Sequence, residues 1–468
     1  MSRTIEINPV TRIEGHAKVH LEVADDGTVN AAYMHVLEYR GFEKIVEGMQ
    51  VELMPTLTSR ICGTCPHAHH LVSSKVLDRV FSVTPPRSAV MLRELLNCGS
   101  YLHSHGVHFF ALAGPDLLLG IGSPAAKRNI MGLLEAAPEL ASKALRLRSI
   151  GQKIAEIVGG RGTHPITCVA GGMSSPITAE QREHLRKLTD EALELTKVAL
   201  EAGKAALLKQ DALLQILPLP VHDMGTVKDG KLDLFDGTIR VRRNDGSIAL
   251  EFDAADYAKH IFEEALPYTY SKQVFVKDPA GDPAAYRVGP LARINCAESI
   301  DTPLANAELQ EFKQKWGNPC KLTVLNHMAR LIEMMYAAEK AVALVADDAI
   351  ASPEVRTQPT ATPKSAIAHV EAPRGVLIHD YTVDANGIVQ KANFIVATQQ
   401  NISCINASVK AAARQFWGKP DEELLNGIEF AIRCYDPCLS CSTHQIGRMP
   451  LDVTITRCGR VERRVSRS

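Results

Sequence analysis

With 468 residues the chain is long enough to bury a large core in one big domain or in two or three smaller ones. Its 46% hydrophobic content is ordinary for a globular protein, and a formal net charge of −1 gives no global field toward nucleic acid or an acidic membrane surface. The N-terminus MSRTIEINPVTRIEGH lacks an apolar signal-peptide core, and the apolar stretches are interrupted before membrane-spanning length. A cytoplasmic chain with no membrane span is expected, and its 11 cysteines are not expected to form a disulfide framework.

The first forty residues alternate with period two, so HAKVHLEV (16–23) and AAYMHVLEY (31–39) read as strands around the DDGT turn. GFEKIVEGM reads as a short helix, and helix is expected from about Cys65 to Val80, broken by TPPRS. A long helix should run from Arg87 to Ala113, and another from Pro138 to Val158, stopped by Gly159 and Gly160. SSPITAEQREHL carries a cap and a proline signal before a long helix to about Ile216. Lys228 to Asp253 alternates with turn signals and reads as a β-rich excursion, helix returns near 303–342, and HVEAPRGVLIHDYTVDANGIVQKANFIVAT reads as paired strands. The sum is an α+β chain, predominantly helical, with β hairpins near both ends and no linker dividing it. The basic tail RCGRVERRVSRS reads as a solvated terminus.

RICGTCPHAHH (60–70) and DPCLSCSTH (436–444) each hold a Cys-x-x-Cys pair with a histidine close behind. Two such pairs match a structural zinc site, a redox dithiol or a soft transition-metal centre. The pairs lie at opposite ends of the chain, so only the whole fold could assemble one site from them, whereas a zinc knuckle usually collects its ligands locally. A thioredoxin-like motif needs one pair beside a βαβ unit, a pattern not seen here. The other seven cysteines, Cys98, Cys168, Cys296, Cys320, Cys404, Cys434 and Cys458, read as buried small hydrophobes.

In order along the chain stand PVTRIEGH, EYRGFEKIVEG, RICGTCPHAHH, LHSHGVHFF, EAPRGVLIHDY and DPCLSCSTH. Together they resemble the large, catalytic subunit of nickel–iron hydrogenases from Pro9 to about Pro450. Either cysteine motif alone would be weak; the set is specific. The resemblance implies a catalytic domain over 1–444 that splits hydrogen into a hydride and a proton. It implies a nickel held by Cys62, Cys65, Cys438 and Cys441, with Cys62 and Cys438 terminal and Cys65 and Cys441 bridging to an iron that carries carbon monoxide and cyanide. Cys438 would be the base for the proton, and Glu14 the carboxylate that passes it on; read alone, Glu14 is an ordinary exposed carboxylate. Arg374 would hang over the open metal position, with Pro373 holding the preceding backbone extended. Asp436 would orient Arg374 or a neighbouring basic group. Thr398 falls where a hydroxyl bonds an iron cyanide, and is otherwise an ordinary strand threonine. His69 would hydrogen-bond a bridging sulfur. Glu43, His444 and the carbonyl of Phe394 would hold a structural magnesium. His67 and His70 have no such counterpart.

Three positions depart from the family pattern: Thr64 for a common valine, Ser104 where many members have an aspartate facing the arginine, and Ala397 for a common proline. The full cysteine set disfavours the respiratory quinone-reductase relatives, which lack it. Residues 445–468 would be an extension removed by a maturation protease. No ferredoxin-like cysteine run is present, so an iron–sulfur small subunit is required, with further electron-transfer subunits beyond it. Those subunits would be of flavoprotein and heterodisulfide-reductase type, or an NAD-linked diaphorase. The alternative is a hydrogen sensor with the same metal centre, which would travel with a histidine kinase.

Overall fold

The computed structural model describes residues 3–208, 218–444, 451–457 and 460–467, with side chains described over 7–208 and 218–444. Four long helices, Arg87–Val107, Pro138–Gly159, Ala179–Leu208 and Asn326–Ala346, pack against one another as the helical body. Local chemistry sets their ends. Pro138 stands at the first turn of its helix, where its missing N–H costs nothing, and Gly160 closes it at φ 75°. Arg87–Val107 and Pro138–Gly159 cross on two glycines. A Cβ on Gly99 would lie 2.9 Å from the Gly151 carbonyl, and one on Gly151 would lie 2.6 Å from the His103 nitrogen.

Three antiparallel strands, Arg3–Ile7, Ala17–Val23 and Val29–Val36, form the N-terminal sheet. A middle sheet is built around His222–Lys228, which pairs with Thr238–Arg242 on one edge and in parallel with Tyr286–Arg287 on the other. The third sheet, Ala366–Ala372, Gly375–Val383 and Val389–Ile395, is antiparallel and carries the helix Pro66–Val80 on one face. The helices Ala397–Phe416 and Asp421–Arg433 follow, the first packing on the N-terminal sheet. The helix-dominated α+β reading holds.

Several boundaries differ from the sequence reading. Helix does reach Ala113, but His108–Ala113 winds in wider π geometry before a short helix Gly114–Leu118. The helix expected over 303–342 is two, Pro303–Trp316 and Asn326–Ala346, because Gly317 turns to φ 86° and ends the first. The long helix is described to Leu208, so its expected end at Ile216 lies outside the described residues. Cys98, Cys168, Cys296, Cys320, Cys404 and Cys434 are free and buried, while the side chain of Cys458 lies outside the described residues. So do Gln445 to Pro450, where the tail would be cut; beyond them Leu451–Arg457 and Arg460–Arg467 pair as a hairpin.

Candidate metal centre

Cys62 leaves a short 3-10 turn in extended conformation, and Cys65 sits directly before the helix Pro66–Val80. That turn brings the backbone N–H groups of Thr64 and Cys65 onto Cys62 Sγ at 3.3 and 3.4 Å. The second pair follows the helix Asp421–Arg433 through Asp436, a left-handed turn at φ 54°. The N-terminal loop then docks on it. Glu14 bridges Cys438 in parallel, and the Leu439 N–H donates to the Glu14 carbonyl at 3.1 Å. Gly15 makes this approach possible: at φ +82° a Cβ there would lie 2.8 Å from Leu439 Cβ.

The four sulfurs converge within 4.8 Å of one another, and all four residues are buried. Cys62–Cys438, Cys65–Cys441 and Cys438–Cys441 stand at 3.1, 3.2 and 3.2 Å. Thiolates bound at about 2.3 Å to one metal stand roughly 3–4.6 Å apart, so the spacing fits a common ion. Burial, and the other three sulfurs, push Cys438 well above the usual thiol range, so by itself it holds its proton. A cation among them is what would allow all four to ionise.

Arg374 lies in the turn between Ala366–Ala372 and Gly375–Val383. Fully buried Arg293 fixes that turn by donating to the carbonyls of Ala372 and Pro373, each at 2.9 Å, while Glu333 holds Arg293 through both oxygens at 2.6 and 2.7 Å. Arg374 Nε donates to the Asp436 carbonyl at 2.7 Å and Nη2 to Asp436 Oδ1 at 3.0 Å. Its Nη1 is buried without a partner. Burial acts to lower Arg374, but the negative charge of Asp436 and the nearby cysteines outweighs it, and the group stays protonated. Arg374, Thr398 and Val396 line a small cavity with Cys65, Cys438 and Cys441.

Glu14 Oε2 is 3.1 Å from Cys438 Sγ, and the Ser440 N–H and hydroxyl both donate to the same carboxylate. Thr398 Oγ1 accepts the Cys438 N–H at 2.8 Å. His69 Nε2 lies 3.4 Å from Cys441 Sγ, and its Nδ1 meets His379 Nε2 at 3.1 Å. His379 Nδ1 meets the Tyr381 hydroxyl at 2.7 Å, which bonds on to Ser73 Oγ at 2.9 Å. Burial pulls His69 down to about 4, so it is neutral.

The family model "Nickel-dependent hydrogenase" matches residues 40–121 and 242–444, and a "HoxL-like" model matches 4–39. The chain belongs to the nickel-dependent hydrogenases, as their large subunit. Among known relatives, the corresponding chain of the F420-non-reducing hydrogenase vhc of Methanococcus voltae is 39% identical, over 97% of this chain and 98% of that one. The HoxS subunit beta of the NAD-reducing hydrogenase of Cupriavidus necator is 35% identical, over 97% of each. The solved structure of an NAD+-reducing [NiFe]-hydrogenase in the H2-reduced state superimposes with a TM-score of 0.91 at 36% identity, covering 94% of this chain and 99% of the other. The hydrogenase is an oxidoreductase acting on hydrogen, with a nickel–iron active site.

A second convergence lies at the C-terminal end of the hydrogenase site. His444 Nε2 is 3.2 Å from the Phe394 carbonyl and 4.0 Å from Glu43 Oε1. Glu43 Oε2 is buried without a partner. A carboxylate, a carbonyl and an imidazole with an orphaned acceptor oxygen suit a hard cation. Every site residue expected from the sequence therefore falls in or beside one of two clusters. Ser104 is buried with its hydroxyl unpartnered, and Arg374 takes its carboxylate from Asp436 instead. Ala397 lines the cavity at the start of its helix. Sequence reasoning missed Ser440, Arg293 and the His379–Tyr381 extension. The signal for His379 was present, since it falls in EAPRGVLIHDY on the same strand face as Tyr381. Arg293 gave none, because its hydrogen-bonding partners come from two distant segments, Glu333 and residues 371–373.

Proposed function

We propose that this large subunit catalyses the reversible heterolytic cleavage of hydrogen, and that Cys62 and Cys438 would hold nickel alone while Cys65 and Cys441 would be shared between nickel and iron. When bound, the nickel–iron centre, its iron carrying carbon monoxide and cyanide, supplies the soft open position at which hydrogen is polarised. The observation that carries the reading is the contact of Glu14 Oε2 with Cys438 Sγ, 3.1 Å, at the edge of four sulfurs within 4.8 Å. Cys438 Sγ takes the proton, and Glu14 Oε2 receives it from the sulfur. Ser440 holds the carboxylate through both of its donors, so Glu14 faces the sulfur without searching for it. Arg374 directs its free Nη1 at charge developing in the cavity, and Asp436 keeps it there. Thr398 has its oxygen engaged by the Cys438 N–H, which leaves its proton to donate into the cavity, toward cyanide. His69 donates to Cys441.

Electrons leave through an iron–sulfur small subunit docked at the Cys62–Cys65 loop. Gly63 is exposed there, and Thr64 is half-buried. The terminal acceptor is a heterodisulfide-reductase or ferredoxin-type subunit, with an NAD(P)-linked flavoprotein diaphorase next. The F420-non-reducing relative at 39% identity, against 35% for the NAD-reducing one, supports that order. Glu43, His444 and the Phe394 carbonyl hold magnesium. Residues 1–444 form the catalytic domain, and a maturation protease removes 445–468. The complex is cytoplasmic; among the described residues no helix is long and apolar enough to cross a membrane.

The test is metal content together with Glu14→Gln. Nickel and iron should be equal in amount, and Glu14→Gln should keep both while losing proton-coupled turnover by two orders of magnitude or more, within the roughly 10²–10⁴-fold range of general acid–base catalysis. Full hydrogen–deuterium exchange in that variant would defeat the assignment of Glu14. Zinc in place of nickel would defeat the whole reading.

A further inference from the structure

The four sulfurs are not solvated alike by the protein. Cys441 meets one imidazole, and Cys438 meets the Glu14 carboxyl. Cys62 receives two backbone N–H groups and, at 3.1 Å, the Thr64 hydroxyl. The same hydroxyl lies 3.8 Å from Cys438 Sγ, so it faces both thiols assigned as terminal ligands and is nearer to Cys62. Among the described residues Thr64 Oγ1 has these two sulfurs as its hydrogen-bonding neighbours. A thiolate bound to metal carries no proton, so the hydroxyl must be the donor. The backbone donors are fixed by the fold whatever residue stands at 64. The hydroxyl depends on the side chain, and valine, nearly the same shape, cannot supply it.

We propose that Thr64 is a positioning residue that sets the redox balance of the metal centre by hydrogen-bonding the Cys62 thiolate. A donor aimed at a thiolate stabilises electron density on the sulfur. It therefore favours the more electron-rich state of any metal bound there, as hydrogen bonds to sulfur do in iron–sulfur proteins. The inference rests on the assignment of Cys62 and Cys438 as metal ligands. It concerns the two residues inside the first Cys-x-x-Cys pair, of which Gly63 has no side chain to contribute.

The experiment is a redox titration of the purified complex, with the centre followed by infrared or paramagnetic resonance spectroscopy and nickel and iron measured on the same samples. Thr64→Val should keep the metals and lower the midpoint potential. At a fixed potential the reduced-to-oxidised ratio should fall about tenfold, which is about 59 mV for a one-electron step. Thr64→Ser should restore the native value. Should Thr64→Val fail to take up metal, Thr64→Ala serves in its place with the same expected shift. Native midpoint potential in the loaded valine or alanine variant overturns the role of Thr64. Absence of nickel from the unmodified protein overturns instead the ligand assignment beneath it.

Discussion

Two buried charge clusters flank the N-terminal loop, and they are finished to different degrees. On one side Asp116, 1% exposed, is met by three guanidiniums: Arg12 at 2.5 Å, Arg128 at 3.0 Å and Arg433 at 2.9 Å. Arg433 also bonds Glu429 and the Thr11 carbonyl, so both ends of the chain are tied at one carboxylate. On the other side Arg374 Nη1 and Asp436 Oδ2, beside the four cysteines, and Glu43 Oε2, at the His444 cluster, have no partner. Burying an unpaired polar atom costs roughly 1–3 kcal/mol. A fold that satisfies Asp116 three times over is capable of satisfying the others. Arg374 Nη1 is left open at a cavity that Arg374 lines with three of the cysteines, where something else can be bound.

The largest expected effect comes from the closed cluster. Asp116→Asn leaves three guanidiniums around a neutral amide and should lower stability by about 3–5 kcal/mol, read as a fall in melting temperature. Unchanged melting would mean that the closed network is not structural, and the contrast would fail. Next, Arg374→Lys in the open cluster loses the paired contact to Asp436 and the free Nη1. Turnover should drop at least about tenfold, about 1.4 kcal/mol of barrier, with metal content kept and melting lowered far less than by Asp116→Asn. An equal loss of stability would erase the distinction between the two regions. The smallest effect is expected for Ser440→Ala, which removes one of two donors to Glu14 and leaves the N–H. A net hydrogen bond of about 1 kcal/mol predicts a several-fold slower hydrogen–deuterium exchange; a full loss would make the hydroxyl, not the carboxylate, the decisive group.

How far the sequence discloses this arrangement differs by scale. The two cysteine pairs are legible from their spacing, whereas Glu14 and Arg374 are legible only through the resemblance of their motifs to the family, since each read alone is an ordinary charged residue. Paired strands at 366–395 are legible from alternation and the DANG turn. The break at 317–325 is not, because the apolar pattern continues on both sides of GNP and only the backbone at Gly317 shows the chain turning. Residues 397–433 form two helices that the sequence reading does not give, and Thr398, read as a strand threonine, sits buried in the first turn of Ala397–Phe416 because the strand before it ends at Ile395. The Asp116 cluster is invisible for a more basic reason. Its members, at 12, 116, 128 and 433, share no local pattern, and only the tertiary fold brings them within bonding distance.

The docking of the loop around Glu14 and Gly15 onto Cys438 and Leu439 also has a temporal side. Cys62 and Cys438 are 376 positions apart, so at about 5–20 residues per second the ribosome needs roughly 20–75 s to travel between them. Throughout that interval the first pair of thiols stands on a growing chain without its counterparts. Closure of the centre is therefore an event of the finished polypeptide, and the nascent chain must carry half a metal site, reduced and waiting, for most of its synthesis.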